Sequence, residues 1–128
     1  LLIPAEVVDR STSLQDFIRR LTTGRKITTL FYGHYPLLVF EQQVVTKFSK
    51  IGPMQIYFCS SLEDQFFRLF GATNILSIME RLGMKDDECI QHKMVDKAIE
   101  SAQEKLGEKV HTEIKASSEE EWFRKNVS

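Results

Sequence analysis

At residue 61 the chain changes period. Upstream, short runs rich in β-branched and aromatic residues alternate with helical stripes; downstream, only helical spacing remains. Side chains repeat every two residues on a strand and every 3.6 on a helix, so this order predicts a sheet-bearing layer followed by a helical one. Leu1-Leu2-Ile3 with Val7-Val8 reads as a first strand, Pro4 being tolerable on an edge. Ser13 can cap a following helix whose Leu14, Phe17, Ile18 and Leu21 share a face, and Gly24 suits its stop. Residues 26–32 read as a second strand. Pro36 fits the first turn of another helix, with Leu37, Leu38, Phe40, Val44, Val45 and Phe48 as its apolar stripe, ended by Gly52-Pro53. Met54–Cys59 reads as a third strand. Strand, helix, strand, helix, strand implies crossover connections and a small, mainly parallel sheet of three strands in an α/β fold.

Beyond Ser61 three helices follow. Ser61 and Asp64 form a capping pair for the first, which buries Leu62, Phe66, Phe67 and Phe70. The second covers about residues 73–82 and closes at Gly83. The third carries Met94, Val95, Ala98, Ile99, Ala102 and Leu106 at helical spacing. Past Gly107 the chain is strongly polar, and Ser117-Ser118-Glu119-Glu120-Glu121 is suited to cap a short last helix with Trp122 and Phe123. The expected divisions are 1–60 for the strand-bearing part, 61–107 for the helices and 108–128 for the tail.

With 128 residues there is room for one ordinary domain core. A formal net charge of -1 exerts no long-range pull on nucleic acid or anionic membrane. Cys59 and Cys89 lack CxxC spacing, which suits a reducing compartment and two buried thiols. No apolar run approaches the roughly 20 residues of a membrane span. The chain opens at Leu1 without an initiator methionine, as a processed product or a piece of something longer would.

One stretch carries a resemblance. Ser61-Leu62-Glu63-Asp64, then Arg68 and Phe70-Gly71, then Met79-Glu80-Arg81-Leu82-Gly83-Met84 and Lys97-Ala98-Ile99-Glu100-Ser101-Ala102-Gln103 resemble the SecA family of preprotein translocase ATPases, where the second motor domain leads into the helical scaffold. The match is most specific between about residues 58 and 103. Extended upstream without a gap, it sets His34 on the His of the family's ERHESRRIDNQ, Gln42 on its final Gln and Pro53 on the Pro of GDPG. It also sets Arg10, Thr12 and Leu14 in the place of RGTDI. The resemblance implies that residues 1–60 are a degenerate RecA-like remnant and 61–107 the start of the scaffold.

In that register the three arginines of LRGRAGRQGDPG stand as Val44, Thr46 and Ser49, and the first Gly and the acidic residue of RGTDI as Ser11 and Ser13. None of these replaces a permanently charged, bidentate phosphate contact, whose loss costs roughly 10³ to 10⁵ in rate. Lys47 and Lys50 read as solvated lysines of an amphipathic helix. No GxxxxGK[ST] loop occurs. The expectation is therefore a chain with no catalytic, cofactor-binding or metal-binding residues and no enzyme activity of its own. His34, His92 and His111 lie too far apart for a zinc motif.

What remains is contact chemistry. Arg19-Arg20 and Arg25-Lys26 make a local basic patch, and Trp122-Phe123 is an aromatic pair suited to anchor on the chain's own helices or on a partner. The expected role is a structural protein derived from a SecA-like motor, held with protein partners in a larger complex. The alternatives are a segment of a divergent translocase whose ATP-handling residues lie elsewhere, and a small organellar subunit touching RNA through the basic patch. The setting expected is an organelle matrix, or else the cytoplasm.

Overall fold

The computed structural model describes residues 12–21, 23–70, 72–85, 88 and 90–127. The chain divides into two compact units, one of residues 1–35 with 39–60, the other of residues 36–38 with 61–128. In the first unit α1 (Thr12–Leu21) leads to β1 (Ile27–Tyr32), α2 (Leu38–Ser49) and β2 (Met54–Cys59). Two glycines permit the tight connections, Gly24 after α1 and Gly33 after β1, at φ of 73° and 88°. β1 and β2 pair in parallel from Ile27 beside Met54 to Tyr32 beside Cys59. α2 is the crossover that a parallel pair requires.

Three strands were expected. Among the described residues there are two; the remaining expected strand, Leu1 to Val8, lies outside them. The core of this unit is small. Phe48 and Ile51 are buried, with Leu14, Ile18, Phe31, Val44 and Met54 packed against them. Phe31 meets Phe48 edge-on at 5.0 Å and stacks on Phe58 at 5.3 Å. Among the described residues only part of the expected apolar face of α1 is covered, through Leu14 and Ile18. Phe17 and Leu21 stay exposed. α2 begins at Leu38, so Pro36 precedes the helix instead of standing in its first turn.

The second unit holds α3 (Gln65–Phe70), α4 (Ala72–Arg81), α5 (Lys93–Lys109) and α6 (Glu119–Asn126). Ser61 and Asp64 cap as their spacing predicts: the Ser61 amide donates to Asp64 Oδ2 at 2.9 Å and the Glu63 amide to Ser61 Oγ at 3.2 Å. Gly83, at φ 65°, ends α4 in a Schellman turn. Its N–H donates to the Glu80 carbonyl and that of Met84 to the Met79 carbonyl. α5 runs through Gly107 to Lys109, beyond the stop expected at that glycine, and His92 caps its start by accepting from the Met94 amide. Phe66, Phe67, Ile75, Met79, Val95, Ala102 and Leu106 make the core, completed by Trp122 and Phe123 from the last helix.

The tail is therefore a packed element. Three pairings hold α6 in place. The Phe66 amide, an unsatisfied donor of the first turn of α3, donates to Glu119 Oε1 at 3.0 Å. Trp122 Nε1 donates to Glu113 Oε1 at 2.8 Å. Asn126 exchanges two hydrogen bonds with the Ile114 backbone, at 2.7 and 2.8 Å.

Glu121 gives this tail a pH signature. The hydrogen bond from Lys125, then those from the Ser117 amide and hydroxyl, lower its carboxyl from 4.5 to about 2. A depressed folded pKa contributes stability that is complete above the ordinary value and lost as pH falls through the folded one. Denaturant midpoints should therefore fall as the pH drops from 4.5 to about 2. In Glu121→Gln that part of the acid slope should flatten.

Candidate functional site

Where β1 ends, Gly33 turns the chain toward α2 and a cleft opens. Phe31, Tyr32, His34, Tyr35, Val44, Val45 and Phe58 line it together with Glu41, around a volume of about 220 Å³. All belong to the first unit. In open α/β sheets the carboxyl ends of parallel strands are the usual place for a ligand crevice.

The polar part is one constellation. Glu41, in the first turn of α2, sits with its carboxylate 3.1 and 3.2 Å from His34 Nδ1 and accepts from the Tyr35 amide at 2.7 Å. Both side chains are largely buried, at 14% and 11% exposure. A carboxylate beside Nδ1 favours a proton on that nitrogen, with Nδ1 as donor. The imidazole also stacks on Phe58, centroids 4.4 Å apart and nearly parallel at 12°. The pair thus fixes the turn between β1 and α2 against the sheet, within mainly apolar walls. Among the described residues no group of three or more His, Cys, Asp or Glu side chains is placed to hold a metal ion. Glu41→Ala should cost about 1–3 kcal/mol, since it removes the carboxylate that pairs with a largely buried imidazole and accepts from the Tyr35 amide. Thermal unfolding and faster hydrogen exchange at the Tyr35 amide would register it.

The residues singled out from sequence fall elsewhere. Arg19, Arg20, Arg25 and Lys26 are exposed, at the end of α1 and in the connection to β1. Arg19 pairs with Asp16 at 2.8 Å and its Nε donates to the Ile51 carbonyl at 3.2 Å, so it also ties α1 to the loop before β2. Trp122 and Phe123 are in the other unit, 5% and 3% exposed. Of the two expected anchorages for this pair, the chain's own helices or a partner, the partner-binding one is corrected: both rings lie in the chain's own core, where α6 packs on α3. Glu41 was missed by sequence reasoning. Its only signal was an acid in the first turn of a helix, seven residues after a histidine and across a Pro.

Comparison with known proteins gives a sharper answer. The chain is 54% identical over 54 residues to the protein translocase subunit SecA of Syntrophomonas wolfei, a match covering 42% of this chain and 6% of that protein. It is 52% identical over 62 residues to SecA of Sulfurimonas denitrificans, covering 48% of this chain and 7% of the relative. SecA 1 of Alkaliphilus metalliredigens is 51% identical over 49 residues. No family model matches the chain. No solved structure matches it.

The chain thus spans 6% to 7% of the length of these relatives. That overturns the expectation of a chain that has lost its ATPase motifs and is no enzyme. The relatives are translocase subunits, and the matches cover 42% and 48% of the chain, so the reading of Val44, Thr46 and Ser49 as replaced arginines carries no inference of lost activity. Between 42% and 48% of this chain is a segment of the SecA family of protein translocase subunits.

Proposed function

We propose that this chain works as part of a SecA-type protein translocase. In this reading the second unit contributes helices of the scaffold, and the parallel strand–helix–strand of the first unit is the closing part of a RecA-like motor domain. The observation that carries the reading is the 54% identity over 54 residues with a translocase subunit. The match covers 6% of that relative's length, and in this reading the remaining ATP- and preprotein-handling groups lie outside residues 1–128. Arg19, Arg20, Arg25 and Lys26 are proposed as contact positions for a protein partner.

Affinity purification of the tagged chain in mild salt, followed by mass spectrometry, tests this. Expected are other translocase polypeptides in fixed stoichiometry, and an assembly whose thermal unfolding shifts upward with Mg²⁺ and ATP. An unrelated complex with no nucleotide effect would sink the reading. Replacing the four basic residues by alanine should release the protein partner. Release of RNA instead, with steep salt dependence, would point to a nucleic-acid contact.

A further inference from the structure

No further inference is drawn: the strongest candidate, the cleft at the end of β1 where His34, Glu41 and Phe58 meet, belongs to the site already described, and its histidine and carboxylate are engaged with each other, with the Tyr35 amide and with Phe58, so nothing in the structure shows what would occupy it.

Discussion

Phe66→Ala is expected to destabilise the second unit by about 3–5 kcal/mol, the largest effect of any single substitution considered. Phe66 is 1% exposed and meets Phe67 edge-on at 5.0 Å. Its side chain sits in the cluster that draws together α3, α4, α5 and α6, so the void left by alanine cannot close by moving one element alone. Detection is built in: Trp122 is the single tryptophan, and it lies in the same core. A loss of this size lowers the urea midpoint of Trp122 emission by about 2 M, for a slope of roughly 1–2 kcal/mol per molar. Leu69→Ala on the same helix is the control. Leu69 is 51% exposed, and surface changes of this kind usually stay within about 0.5 kcal/mol. Equal midpoints for the two variants would mean that Phe66 does not hold the core.

Ending the chain at Ala116 should have the second large effect, turning the second unit into a loosened state. The truncation removes Trp122 and Phe123, whose replacements would each cost about 3–5 kcal/mol. A unit of this size has only about 3–10 kcal/mol of stability in total. It also leaves the Phe66 amide without Glu119 and the Ile114 backbone without Asn126. Secondary structure should persist in far-UV circular dichroism while near-UV signals fade and the chain binds anilinonaphthalene sulfonate, as when packing is lost before helices. Cooperative unfolding of the truncated chain with no dye binding would refute this account and make the tail dispensable.

Local signals did much of the work of placing the elements. β2 stands at the expected Met54–Cys59 and β1 within a residue of its expected start, because β-branched and aromatic runs between glycines and prolines leave little choice. The Ser61 and Asp64 cap and the Gly83 stop were equally legible, since each depends on residues within a few positions of one another. Gly107 shows the limit of that logic. A glycine inside a helix costs about 1 kcal/mol, and α5 overrides it: Leu106 is fully buried one residue before it, and the helix continues to Lys109.

By itself, the sequence determined the alternation of strand and helix, the helical character of everything after Ser61, and membership of its best-matched stretch in the SecA family. Periodicity, caps and a dense run of identities are properties of neighbours along the chain. Only the tertiary structure decided which surfaces those elements cover. Trp122 and Phe123 are core because Glu119 reaches Phe66 across 53 positions. Glu41 belongs to a site because the turn after β1 lays His34 on its carboxylate. Leu30 and Tyr32 are exposed because, among the described residues, no element covers the outer face of the two strands. The physical reason is the same in each case: burial depends on distances between segments far apart in sequence, and no local pattern encodes them.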